Sequence, residues 1–224
     1  FYLLSATSAI HAQTLEPRAY SNVPTGMNFL LVGYQHSTGA LLFDPAVPVT
    51  DARANIDMGL LGYVHTLDVA GKIAKAGVLL PYASLMADGF VEDNFRTRNT
   101  DGLADPAFYF SINIYGAPAL SLKEFEGYQQ DTIIGLTFKL TAPLGAYEAD
   151  KLINIGTNRW SFEPGLGMSH AVENWTLEAS ASAAFYTDNT DFDNGKRRQQ
   201  EAIYSTQFHV IYSFPHHIWA AVSA

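Results

Sequence analysis

Residues 132–141 read Thr-Ile-Ile-Gly-Leu-Thr-Phe-Lys-Leu-Thr. Thr132, Ile134, Leu136, Phe138 and Leu140 alternate with Ile133, Gly135, Thr137, Lys139 and Thr141. Successive residues of a β-strand point to opposite faces, so this segment is a strand with one greasy side and one wetter side. The same alternation runs through 108–115, where Phe108, Phe110, Ile112 and Ile114 oppose Tyr109, Ser111, Asn113 and Tyr115. It recurs in 159–170, with Trp160, Phe162, Pro164, Leu166, Met168 and His170 against Arg159, Ser161, Glu163, Gly165, Gly167 and Ser169. A soluble sandwich also alternates. Here the wet side carries Gly, Ser, Thr and isolated charges, while aromatics gather near strand ends on the greasy side. That pattern describes a barrel with lipid outside and polar residues within.

Working outward, nine strand candidates follow one another: 27–35, 55–67, 73–86, 107–115, 132–142, 159–170, 175–186, 202–214 and 218 to the end. Long connections rich in Asp, Asn, Gly and Pro (36–54, 87–106, 143–158, 187–201) alternate with tight turns at 68–72, 171–174 and 215–217. Outer-membrane barrels are wired this way, with short periplasmic turns and longer outer loops. One connection, 116–131, departs from the rule. Leu122 and Phe125 at helical spacing after Ser121 predict a short capped helix near the barrel base.

Composition sets the bounds. Charged residues make up only 16% of 224 positions and aromatics 13%, with 12 Tyr and 14 Phe. Mean hydropathy is +0.01, as strict alternation produces, and no apolar run approaches the length of a membrane helix. The net charge of −9 argues against nucleic acid as a partner. The absence of cysteine rules out a disulfide scaffold and suits passage through an oxidising periplasm. Residues 1–12 resemble the end of a signal peptide, 13–25 form a polar lead-in, and 26–224 are expected to form the barrel. The final strand stops in apolar sequence at Ala224. Both termini therefore read as cut, with at least three strands missing from a total near twelve. An open sheet or half-wrapped barrel is the expected form of this segment.

Several stretches resemble the MetA-pathway phenol-degradation family of proteobacterial outer-membrane barrels. They are Glu16-Pro17-Arg18-Ala19-Tyr20-Ser21-Asn22 with Pro24, Gly26, Asn28 and Phe29, then Gly116-Ala117-Pro118-Ala119-Leu120-Ser121-Leu122 and Thr141-Ala142-Pro143-Leu144-Gly145. Further matches are Lys151 to Trp160, Asn174-Trp175-Thr176-Leu177 and Phe185-Tyr186-Thr187-Asp188-Asn189. The resemblance implies an all-β, antiparallel up-and-down transmembrane barrel of the outer-membrane type. It also implies passage of small hydrophobic or aromatic, phenol-like compounds, in a Gram-negative outer membrane whose lipid would be the partner. A channel needs a lumen of suitable width and polarity rather than a catalytic group. No catalytic residue, metal site or cofactor is therefore expected. His65, His170 and His209 lie on different strands without motif spacing.

Expected lumen residues are Asp57, His65, Lys75, Tyr109, Asn113, Tyr115, Lys139, Arg159, Glu163, Glu178, Gln207 and His209. Lys75, Lys139 and Arg159 are read as facing Asp57, Glu163 and Glu178, either as a constriction or as simple charge pairs. Tyr63, Tyr109 and Tyr115 suggest an aromatic track; a one-residue slip would instead place them outside. Trp160, Trp175, Tyr204, Tyr212, Phe214 and Trp219 are expected as interfacial anchors. Two rivals remain at this point: a structural or adhesive barrel whose lumen is closed by side chains or by residues 13–25, and a soluble sandwich or lipocalin-like carrier.

Overall fold

The computed structural model describes residues 17–41, 49–215 and 218–224. The expectations for 1–16, including the signal remnant, lie outside them. Among the described residues twelve strands form: β1 (Asn28–Ala40), β2 (Val49–Val69), β3 (Lys72–Val91), β4 (Asn94–Leu103), β5 (Ala107–Tyr115), β6 (Thr132–Thr141), β7 (Ser161–Val172), β8 (Trp175–Tyr186), β9 (Asn189–Phe192), β10 (Lys196–Arg198), β11 (Ile203–Ser213) and β12 (Trp219–Ser223). One antiparallel sheet runs β1-β2-β3-β5-β6-β7-β8-β11-β12, with β4 also paired to β3, and β9 pairs β10 in a small outer hairpin. Each neighbour in the main path is the next long strand in sequence, which is up-and-down wiring curved into an open half-barrel. The predicted connection 87–106 is instead mostly strand. β3 runs on to Val91, turns through Glu92 and Asp93 at positive φ, and pairs with β4. β4 and β5 are one long strand interrupted at Ala104-Asp105-Pro106, so the count of nine sheet positions stands.

The convex face carries the exposed apolar set: Leu136 is 43% accessible, Leu166 51%, Leu177 50% and Phe208 57%. The concave face buries their neighbours. Ile133, Ser169 and Ile211 are fully enclosed, and Glu163, Glu178 and His209 are nearly so. The oily side of the wall is thus the outside. A soluble sandwich would bury the aromatic face against a second sheet, and no second layer covers it among the described residues.

Two small clusters cap the concave face. At the short-turn end Tyr20 packs with Ile73, Ala117 and Ile133. At the long-loop end Ile153 and Ile155 pack against Ala54, Leu85 and Ala87. The helix α1 (Leu122–Phe125) forms as its capping box requires: the Ser121 hydroxyl accepts from the Glu124 amide, and the Glu124 carboxylate accepts from the Ser121 amide. It buries none of its residues, so it lies on the barrel base rather than tucked into it.

Candidate lumen and its two covers

Directly opposed residues of an antiparallel pair share a face, so the register assigns every expected lumen residue but Arg159. Lys75 opposes Ser111, Ser111 opposes Thr137, and Thr137 opposes Gly165, all on the concave side. Tyr109, Lys139 and Glu163 form the next concave row, and Ser169, Glu178 and His209 another. Asn113 and Gln207 fall on the same face by parity. Arg159 sits just before β7, its guanidinium 4.7 Å from the Tyr186 ring centre.

Three expected lumen residues are not in the lumen. Asp57 opposes His36 and Ser84 on the convex face, where it accepts from the Tyr34 hydroxyl at 2.5 Å and lies 2.8 Å from His36 Nδ1. The physical reason is strand length. β2 has 21 residues and β3 has 20, roughly twice the 9–11 needed to cross a bilayer. Their upper halves rise beyond the apolar band, where a charge can face outward into water. The Asp57 surface borders a convex depression of about 380 Å³, separate from the lumen. His65 is also convex, at the lower margin of the band beside Asn28, which accepts from the Tyr63 hydroxyl at 2.6 Å. Tyr115 is turned outward by a bulge: Asn113 opposes Gly135, yet Tyr115 opposes Ile134. One extra residue moves every later side chain to the other face. With Tyr63 and Tyr115 outside, no aromatic track forms.

Among the expected anchors, Trp175, Tyr212 and Phe214 form an edge-to-face chain on the convex rim, with successive ring centres 4.7 Å apart. Tyr204 is convex and 78% accessible, and Trp160 lies at the upper end of β7. Trp219 is the exception. It opposes Ser213 on the concave face and lies 5.4 Å under the Arg18 guanidinium.

Of the expected charge pairs, Lys139 with Glu163 forms, while Lys75 and Glu178 turn to residues 18–21 instead. Lys139 and Glu163 form an ion pair at 2.5 Å, and Glu163 also accepts from the Ser182 hydroxyl at 3.0 Å. Lys75 donates to the carbonyls of Ala19 and Ser21, at 2.9 and 3.1 Å. Glu178 accepts from the Arg18 backbone amide at 2.8 Å, and the Arg18 guanidinium donates to the Ser213 hydroxyl at 2.6 Å. These contacts fasten residues 17–25 as a wedge inside the curve of the sheet. The Asn113 amide donates to the Tyr20 carbonyl at 2.8 Å, and the Tyr20 ring lies against Gly135 and Gly167. A Cβ at Gly167 would overlap that ring. The two glycines are therefore a slot, and burial of the ring contributes about 2 kcal/mol. Burial also pushes the Tyr20 phenol above its ordinary value, and its hydroxyl, beside Thr137, makes no hydrogen bond of good geometry.

The second cover is the connection 143–158. Asp105, at the break between β4 and β5, accepts from the Gly145 amide at 2.8 Å, the Thr157 amide at 2.8 Å and the Thr157 hydroxyl at 2.6 Å. Arg98 donates to Glu148 at 2.5 Å, and the Asn154 side chain is used up on Glu148 and Lys151 backbone. Ile153 and Ile155 are thereby held against the concave face.

Between the covers the lumen has two unlike arcs. On β1–β3 the mid-height concave residues are apolar, among them Leu31, Met58, Leu60 and Leu79; Leu31 and Leu79 close over Gly62. On β5–β8 and β11 they are Tyr109, Ser111, Lys139, Glu163, Ser180 and Gln207. Glu178 and His209 each turn an unpartnered polar atom inward on this arc.

An open half-barrel with an oily exterior, a mixed concave face and inward-folded covers has the architecture of an outer-membrane-type β-barrel. The family model described as "Putative MetA-pathway of phenol degradation" matches residues 35–223, and the chain belongs to that family. Among curated proteins none matches significantly. The fold is similar to the crystal structure of an outer membrane channel from Pseudomonas putida F1, with a TM-score of 0.72 and 24% identity, covering 93% of this chain and 74% of that one.

Proposed function

We propose that this chain forms a passive outer-membrane channel for small apolar or aromatic molecules that carry a polar group, phenols among them. The observation that carries this reading is the divided lumen. A uniformly polar wall suits ions and sugars, and a uniformly apolar one would leave the polar group of a phenol unsatisfied at a cost of about 1–3 kcal/mol. The two arcs together offer an aromatic ring a dry surface and its hydroxyl a row of donors and acceptors. The family's description and the channel fold of the Pseudomonas protein support the same reading. The convex apolar band with its Trp175–Tyr212–Phe214 rim fits lipid of the outer membrane, with aromatic rings at the headgroups.

A closed barrel is the second reading, and the wedge of residues 17–25 favours it. Proteoliposomes separate the two. With the full chain, p-cresol entry is expected to exceed that into protein-free vesicles, and Gly167→Val, which expels Tyr20 from its slot, is expected to raise it further. Wild-type vesicles no faster than empty ones would overturn the channel; a silent wild type with a leaky Gly167→Val variant would make the wedge a permanent seal.

A further inference from the structure

The upper lumen holds a cleft of about 310 Å³ between the apolar arc and the connection 143–158. Ile56, Met58, Ala83 and Leu85 line one side and Ile155 the other. A cavity of about 150 Å³ already admits benzene, so this one holds a substituted ring. Its shape is preset. Asp105 pins both ends of the connection, at Gly145 and Thr157, and the Gly156 amide donates to the Ala146 carbonyl at 2.8 Å. Pre-formed walls spare a ligand the cost of ordering them.

The polar groups at the cleft are few and unequal. Asn154 lines it, yet its amide is spent on Glu148 and Lys151. Gln35 and Ser37, on the concave face of β1, are the lining side chains with polar heads left over. Arg98, the cation this connection engages, is neutralised by Glu148. A carboxylate or phenolate would find no cation among the residues that line the cleft; a neutral hydroxyl would find a donor and an acceptor.

We propose that this cleft is a capture site for a neutral aromatic molecule with one hydrogen-bonding substituent, of the cresol type. The proposal rests on the channel reading and names where the solute is first held. Ala83 faces the empty side, and a phenyl group there would fill the space. The Gln35 head lies at the exposed margin, so its loss leaves the fold alone.

Saturation-transfer NMR on the full chain in detergent, with p-cresol, toluene and benzoate as probes, tests it. Wild type is expected to bind p-cresol more tightly than toluene, and benzoate weakest. Ala83→Phe is expected to weaken both neutral probes about tenfold or more. Gln35→Leu is expected to weaken p-cresol about fivefold, the worth of one neutral hydrogen bond, and to leave toluene unchanged. Heat-modifiable migration on gels checks that each variant is folded, and Gln35→Leu carries the test if Ala83→Phe is not. Benzoate binding as tightly as p-cresol, or p-cresol affinity unchanged in the folded variants, overturns the site. Vesicle entry of p-cresol is read separately. Unchanged binding with intact entry sinks the capture site alone, whereas the expected binding pattern without any entry sinks the channel and leaves a binding barrel.

Discussion

Strands β1–β3 and strands β5–β8 belong to one sheet and share one concave surface, yet they treat it in opposite ways. In β5–β8 the wall is two-faced: Phe138 and Leu166 go out, Lys139 and Gly165 go in. In β1–β3 the middle of the wall is apolar on both sides, with Val32 and Leu61 out and Leu31 and Leu60 in. A polar inner face lets water and hydrogen-bonding groups follow the wall. An apolar inner face facing it makes a lumen in which a molecule with both characters is never wholly misplaced. The two arcs also differ in height, because β2 and β3 rise well past the apolar band and carry Asp57 and Tyr82 on their outer side, where they bond Tyr34 of β1 and Asp101 of β4.

Several substitutions break or sharpen this contrast. Leu166→Arg puts a charge on the convex face near the middle of the band, and is expected to cost about 2–4 kcal/mol. Ser180→Arg, on the concave side of the neighbouring strand, is expected to cost far less; reversible unfolding in lipid vesicles compares them. Lys139→Met leaves Glu163 without its cation. In a dry interior such a loss costs about 3–5 kcal/mol, and beside a wet lumen roughly 2 kcal/mol is expected, with a shift toward cation selectivity in planar-bilayer recordings. Leu60→Asn makes the apolar arc polar at mid-height. It is expected to lower toluene entry about threefold relative to p-cresol, on the order of one partly lost apolar contact, with stability nearly unchanged. The smallest effect concerns α1, outside both arcs. Hydrogen bonds from the Ser121 hydroxyl and amide hold the Glu124 carboxyl below its ordinary value. The helix is therefore capped at neutral pH and loses the cap as pH falls through that lowered value, a change visible in amide exchange at residues 121–125.

How far these arcs could be read beforehand follows from their chemistry. Around Lys139, Glu163 and Glu178, alternation had one phase and one meaning, so the strands and the face these residues share were both legible there. On β2 the phase was equally clear but the meaning was not. Met58, Leu60 and Asp57 alternate cleanly, and taking the polar set as the inner one put Asp57 and His65 on the wrong side. Period alone says which residues share a face, never which face is wet. Tyr115 failed for another reason, since a bulge at Ile114 leaves no mark in apolar sequence. Trp219 was assigned by residue type, but its partner Ser213 decides its face. The covers were the least visible. Nothing in the local pattern says that Tyr20 lies on Gly135 and Gly167, although glycines at those two inward positions mark a place where something approaches the strand backbone closely.

That glycine slot sets an order of events during assembly. Arg18 and Glu178 are 160 positions apart, and the groove that receives Tyr20 exists only once β6 and β7 are zipped together. Residues 17–25, made before β6 and β7, must therefore wait, undocked, until the middle of the chain has folded around the space they will occupy. The wall is built first and corked afterwards.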